Sequence, residues 1–268
     1  MQTFETLDVN QVDEQVLLVT LNRPQVANAF NTQMAWDLTH LFEGVALNSH
    51  AQNSQATRVV VLTGAGEKAF CAGGDLKQRN GMTDAAWFEQ HLVYERMIRA
   101  VIACPLPVIG AVNGAAFGGG CELVAALDFA YVSDTARFAQ TEVKLGIIPG
   151  AGGTQTLARA VGEKRAKELV MSGLVFSAMD ALNWGLANAV YPQNELLDKT
   201  LEIAKTIAAN APIAVRQAKQ AIHKGLQMGL ADGLAFEIEA YNRTVTTHDR
   251  REGVAAFNEK RKAVFEGR

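Results

Sequence analysis

Two glutamates, Glu122 and Glu142, lie in the run Asn113 to Thr154, between glycine clusters and in otherwise apolar surroundings. A glycine costs about 0.5–1 kcal/mol in a regular element, so this density of them implies backbone that must approach something closely. A carboxylate three positions into a helix faces the same side as the helix start, because positions i and i+3 share a face. That places Glu122 beside Gly119, whose N–H, left unpaired at a helix N-terminus and favoured by the helix dipole, can donate to a developing oxyanion. A second donor can come from Gly74, in the earlier glycine turn GAGEKAFCAGGD at 64–75. Two N–H groups on one carbonyl oxygen would stabilise an enolate formed from a thioester or similar acyl group. Two carboxylates nearby, one ionised and one holding a proton, could then deprotonate a water and add it across a conjugated double bond.

Spacing alone leaves other readings open. Glu122 equally fits a first-turn glutamate favoured by the helix dipole, and Glu142 a solvated charge in a polar loop. Gly73, Gly74 and Gly118 to Gly120 fit turn and helix-packing positions, and PGAGG at 149–153 fits the loop before a helix. Several other chemistries lack their parts. The turn at 64–75 matches neither GxGxxG nor a P-loop ending in Gly-Lys-Ser/Thr. His40, His50, His91, His223 and His248 have no metal-ligand spacing and are assigned to surface or core. Ser133, Ser172 and Ser177 lack a GxSxG elbow, and Asp75 and Asp128 read as loop or helix-start residues.

With 268 residues the chain is long enough for a large α/β domain and its core. A net charge of −3 gives no basic footprint for nucleic acid and favours small-molecule chemistry. Cys71, Cys104 and Cys121 are odd in number and without CxxC pairing, which fits a reducing compartment better than disulfides or a zinc site. The acidic start MQTFETLDVNQVDE has no basic, apolar leader, and the expectation is a cytoplasmic protein. The most apolar run, Pro105 to Val132, is broken by Asn113, Glu122, Asp128 and many glycines, and so reads as buried strand and helix.

Phe4 to Val9 and Val16 to Asn22 suggest a hairpin about Asp13-Glu14, followed by a helix from Asn31 or Thr32 to about His50. RVVVLT at 58–63 reads as a strand buried on both faces, and Asp84 as the cap of a helix through Ala103. Val108 to Val112 is a second such strand, Asn113 to Gly120 a turn, Cys121 to Leu127 a helix and Phe129 to Ser133 a strand. Helices over 154–160, 163–172 and 178–184 and a strand over 189–191 follow. From Asn194 the chain is helical to the end, with breaks near 210–212, Gly229 and 248–249. The expected division is an α/β catalytic core over 1–192 and a C-terminal helical region over 193–268.

KAFCAGGDLK at 68–77, NGAAFGGGCEL at 113–123 and TEVKLGIIPGAGGTQTL at 141–157 together resemble the enoyl-CoA hydratase/isomerase, or crotonase, superfamily. The resemblance spans nearly the whole chain, from LNRPQVANAF at 21–30 to REGVAAFNEKRKAVF at 251–265. It implies an α/β fold, a crotonase-like spiral of ββα units with a C-terminal helical trimerisation region, assembled as a homotrimer or dimer of trimers. It implies an oxyanion hole at Gly74 and Gly119 and a catalytic pair of glutamates, Glu122 mainly activating water and Glu142 mainly protonating the α-carbon. Contacts to CoA would fall on Gln25, Val26, Ala29, Ala72, Gly73, Asp75 and Leu76, with Gly150 at the acyl end. Phe257 and Lys260 match positions that reach a CoA held by the neighbouring subunit, while Gln25 stands where many relatives carry lysine.

Having both glutamates, the chain looks like a hydratase that adds water reversibly, in the syn sense, to a 2-enoyl-CoA. No metal, membrane or cofactor beyond the CoA of the substrate is implied. Acyl preference would rest with side chains from Asp84 to Ala100 and with the helical tail. TEVKLGIIPGAGGTQ and APIAVRQAKQAIHKGL are also similar to the methylglutaconyl-CoA hydratase branch, which acts on a branched acid from leucine breakdown. An enoyl-CoA isomerase, often working with one carboxylate, is a further alternative. An RNA-binding protein is another, since that branch includes a member reported to bind RNA; its support here is the basic runs KQAIHKG and NEKRKAVFEGR.

Overall fold

The computed structural model describes residues 3–49 and 56–268; His50 lies outside the described residues. The acidic turn closes an antiparallel hairpin of β1 (Leu7–Asp13) and β2 (Val16–Leu21), the first strand beginning three residues later than Phe4. Asn31 caps α1 (Thr32–Asn48), its Oδ1 accepting the Met34 N–H at 2.9 Å, and Met34, Leu38 and Phe42 line the buried face.

From there the chain alternates between two sheets. β3 (Val59–Gly64) enters the first and β4 (Ala69–Cys71) the second, before α2 (Leu76–Arg79) and α3 (Asp84–Ala103). β5 (Val108–Val112) and β6 (Ala115–Phe117) repeat the step before α4 (Gly119–Ala126). β7 (Phe129–Ser133) and β8 (Arg137–Ala139) repeat it before α5 (Gly153–Val161) and α6 (Glu163–Ser172). β9 (Phe176–Ser177), α7 (Ala178–Trp184) and β10 (Ala189–Tyr191) complete the winding. The first sheet has the order β1-β2-β3-β5-β7-β10, parallel from β2 onward, and the second β4-β6-β8-β9. This is the spiral of ββα units.

Both faces of the first sheet are covered at β2, β3 and β5, which is why these strands read as nearly unbroken apolar runs. Alternate side chains divide between the two sides. Val60, Leu62, Val108 and Val112 join the main core with α1 and α3, while Val16, Val59, Val61, Ile109 and Ala111 meet Leu196, Ala204 and Ala208 of α8 (Gln193–Ala208). Arg58 ties the rest of the tail down, donating to the carbonyls of Ala208 at 3.0 Å and Phe265 at 2.7 Å. α9 (Pro212–Gly225), α10 (Leu230–Val245) and α11 (His248–Glu259) follow and leave Ile222, Leu226, Leu230, Ile238 and Phe257 exposed.

Several boundaries differ from the sequence reading. The glycine turn at 64–75 and the turn at 113–120 contain β4 and β6, strands of three residues that are too short to show a two-residue period. α4 begins at Gly119 rather than Cys121, and the tail is not helical to its end, since α11 stops at Glu259 with Lys260 in the left-handed region as its cap. The cap of α3 is Thr83, whose hydroxyl accepts the Ala86 N–H at 3.2 Å, with Asp84 in the first turn. Among the described residues no helix is long and apolar enough to cross a membrane.

Candidate active site

The two glycine turns meet. After β4, the stretch 72–74 runs beside Phe30, whose N–H donates to Gly73 O at 2.7 Å and whose carbonyl accepts from Asp75 N at 2.7 Å. Gly73 has φ +90°, and a Cβ there would lie 2.7 Å from Phe117 O and 3.0 Å from Gly119 N. Only a residue without a side chain permits that approach. The N–H groups of Gly74 and of Gly119, the first residue of α4, have no acceptor among the described residues. Both glycines line a cavity of about 550 Å³, together with Glu122 and Glu142.

Glu122 sits in the first turn of α4 and is 3% exposed. Its Oε1 accepts the N–H groups of Ala151 and Gly153, each at 2.8 Å, so the PGAGG loop is the cradle of a carboxylate. Burial, with a smaller contribution from the charge of Glu142, pushes Glu122 up to about 7, against the pull of those N–H donors. Glu142 opens the single turn Glu142–Leu145 after β8 and is 8% exposed, which overturns the solvated-loop reading. Burial raises its carboxyl above the usual range as well, and its Oε2 has no hydrogen-bond partner among the described residues. A Cβ on Gly118 would stand 3.1 Å from Glu142 Oε1, so the second acid packs against the turn that opens α4.

Ala72, Gly73, Leu76 and Gly150 also line the cavity. Asp75 does not; its Oδ1 caps α2 through Lys77 N and Gln78 N, and its Oδ2 accepts from Arg23 Nη1 at 3.0 Å. Gln25, Val26 and Ala29 lie outside the lining, in a segment joined to the oxyanion loop by Ala72 N donating to Ala27 O at 3.0 Å. Phe257 and Lys260 stay away from this cavity in their own chain, Phe257 being 84% exposed beside Val254 and Phe265.

The far wall carries residues that sequence reasoning missed or placed only loosely. α3 contributes Trp87, Phe88, His91, Tyr94 and Met97, within the stretch expected to set acyl preference. His91, assigned from sequence to surface or core, faces the cavity, and a Cβ on Gly150 would fall 2.4 Å from its Cε1. Arg79 of α2 also lines it, and no spacing signal marked it. Within the basic runs, Lys219 pairs with Asp128 at 2.7 Å, and Arg261 with Glu252 and Glu259. No group of three or more His, Cys, Asp or Glu placed to hold a metal ion occurs among the described residues.

The family model described as Enoyl-CoA hydratase/isomerase matches residues 11–268. YngF of Bacillus subtilis (strain 168) is 46% identical over 255 residues, which is 95% of this chain and 96% of its own. A short-chain-enoyl-CoA hydratase of Clostridium acetobutylicum is 40% identical, with 92% of each chain covered. The crystal structure of an enoyl-CoA hydratase from Bacillus anthracis superposes with a TM-score of 0.94 at 43% identity, covering 98% of this chain and 100% of that one.

Proposed function

The chain belongs to the enoyl-CoA hydratase/isomerase family, and from that premise we propose that it is an enoyl-CoA hydratase, converting a 2-enoyl-CoA and water reversibly to a 3-hydroxyacyl-CoA. The observation that carries this reading is the buried pair Glu122 and Glu142 on the same cavity as the unengaged N–H groups of Gly74 and Gly119. A double-bond isomerase needs no water and often works with one carboxylate; a second buried acid supports water as the reactant.

In this reading the thioester oxygen accepts from Gly74 N–H and Gly119 N–H. Glu122, with Oε1 occupied by Ala151 and Gly153, keeps Oε2 for the attacking water and takes its proton. The water oxygen bonds to C3, the π electrons move through C2 to the carbonyl oxygen, and the N–H pair stabilises the enolate. Collapse of the enolate takes a proton at C2 from Glu142. The charge of Glu142 acts on Glu122, so their roles are those of the pair in its singly protonated state.

The contacts to CoA at Gln25, Val26, Ala29, Ala72, Gly73, Asp75 and Leu76, and a neighbour's Phe257 and Lys260, belong to the same proposal. So do a trimer or dimer of trimers built through the region 193–268, and a cytoplasmic location. The exposed apolar side chains of α9 to α11 support the first of these two, and three buried free cysteines the second.

The test is loss of the conjugated-thioester absorbance when enzyme is added to crotonyl-CoA, with uptake of labelled oxygen from water into the product. Glu122→Gln and Glu142→Gln should each lower kcat by orders of magnitude while CoA ligands still bind. Absence of turnover with crotonyl-, longer enoyl- and methylglutaconyl-CoA would remove the reading; double-bond migration without label would replace it with the isomerase.

A further inference from the structure

Thr141 is the N-cap of the single turn Glu142–Leu145, yet its hydroxyl accepts no N–H of that turn. A threonine in this position ordinarily turns its oxygen to a backbone N–H two or three residues on. Here the turn is closed by backbone alone, Lys144 N–H donating to Thr141 O at 3.0 Å. Thr141 Oγ1 makes no hydrogen bond among the described residues, and the residue is half-buried on the cavity lining. Its hydroxyl runs along the wall beside the acids. A Cβ on Gly118 would lie 3.6 Å from Thr141 Oγ1 and 3.1 Å from Glu142 Oε1. The carbonyl of Gly118 in turn accepts the Glu122 N–H at 3.0 Å. The hydroxyl therefore sits on the turn that both acids touch, at the reacting end of the cavity.

A hydroxyl offers one donor and two acceptor lone pairs. Left unpartnered in a half-buried site it costs free energy, and the acyl carbons of an enoyl thioester have nothing to return. Of the two reactants, water alone has a hydrogen to give there. In the scheme above the attacking water has one fixed contact, to Glu122, which takes one of its hydrogens. The other hydrogen stays on oxygen in the product and has no acceptor. We propose that Thr141 is a third catalytic side chain, whose hydroxyl binds the attacking water by accepting the hydrogen that remains on oxygen. No proton passes through it: the O–C3 bond forms as Glu122 takes the first hydrogen, and Thr141 keeps its own. Two contacts in place of one fix the direction of the water's lone pair toward C3, which is an effect of orientation. This rests on the hydratase reading and deepens it by naming what places the second reactant.

Thr141→Val removes the hydroxyl at nearly constant shape, and Thr141→Ser keeps it. With crotonyl-CoA, Thr141→Val should lower kcat by about tenfold or more, as expected when a reacting group loses its orientation, while Thr141→Ser stays within about threefold of wild type. Binding of butyryl-CoA, which has no double bond to hydrate, should change by less than about threefold in either variant, because it meets the oxyanion hole and not the water. Exchange of the C2 hydrogens of butyryl-CoA with deuterated solvent separates a role on water from one on the acids. That exchange uses the N–H pair and Glu142 but no attack at C3, so Thr141→Val should leave its rate near that of the wild type. A Thr141→Val enzyme that hydrates crotonyl-CoA within about threefold of wild type overturns the proposal. So does one in which hydration and exchange fall together, which would tie Thr141 to Glu142 or to the turn at Gly118. A wild-type enzyme that exchanges hydrogen at C2 without hydrating crotonyl-CoA is a different result and removes the hydratase reading itself.

Discussion

Gly153 donates its N–H to Glu122 Oε1 at 2.8 Å, and a side chain at the same position would lie 2.7 Å from Glu122 Cγ. The residue that begins α5 therefore holds the carboxylate and leaves the space it occupies. Its backbone is not in the left-handed region, so the demand is for volume alone. Gly153→Ala should displace the Glu122 carboxylate and lower kcat by roughly tenfold to a hundredfold, since small misplacements of a reacting group have effects of that order. Binding of a non-reacting CoA thioester should survive. Steady-state kinetics beside ligand titration decides it, and a kcat within threefold of wild type would show that the carboxylate does not depend on this contact.

Glu122 at about 7 makes both activity and stability depend on pH. As the base for water it must be ionised, so kcat/KM should fall on the acid side with a midpoint near neutrality. Stability moves the other way. A carboxyl raised from its ordinary value of 4.5 to about 7 on folding binds more protons folded than unfolded between those values. Its contribution is present below the unfolded value and is lost as pH rises through the folded one. Glu142, raised by burial, adds in the same direction. Glu122→Gln should thus match the wild type in stability near pH 4.5 and exceed it near pH 8, by on the order of 1–3 kcal/mol. Unfolding curves at the two pH values check this, and an equal difference at both would refute it.

The three cysteines are free and buried. Burial pushes the Cys71 thiol up to about 12 and that of Cys104 to about 11, and raises Cys121 further still. Since the thiolate is the reactive form, none should react with an aromatic disulfide reagent at neutral pH until the protein unfolds. A thiol count taken before and after adding denaturant measures it; rapid release from the native enzyme would show an opening that reaches the core.

The legible parts of the site were those encoded by a missing side chain. Gly73, Gly74 and Gly119 stood out because a regular element does not need them, and Glu122 because an apolar helix does not. Glu142 was harder. Its neighbours Gln140, Thr141 and Lys144 look like a solvated loop, yet Gln140 is fully buried and Lys144 Nζ folds back to Gly173 O at 2.6 Å. Polar type records what a residue can bond, and whether water or protein supplies the partner is a matter of tertiary contact. Arg79 and His91 reach the cavity from α2 and α3, before the chain has made the glutamates, so their meeting is a property of the winding. The second sheet was invisible for a related reason: strands of two or three residues are held by neighbours and carry no period of their own. The helical reading from Asn194 likewise does not name the sheet that α8 covers.

Gly120 and Gly44 separate a glycine demanded by contact from one that is not. A Cβ on Gly120 would stand 2.0 Å from the carbonyl oxygen of Cys71 and 2.8 Å from its carbon, atoms of the β4 backbone that cannot rotate away. Gly120→Ala must push α4 off β4, and with it the approach of Gly73 to Gly119. The cost should be about 3 kcal/mol or more, at the upper end for overpacking. Gly44 lies inside α1 with nothing within 4 Å of its would-be Cβ. Gly44→Ala should add about 0.5–1 kcal/mol through helix propensity and the lower entropy of the unfolded chain. Urea unfolding of the two variants beside wild type measures both signs. If Gly120→Ala were as stable as the wild type, β4 and α4 would not be held at that distance, and the two N–H groups that depend on their contact would not share one oxygen.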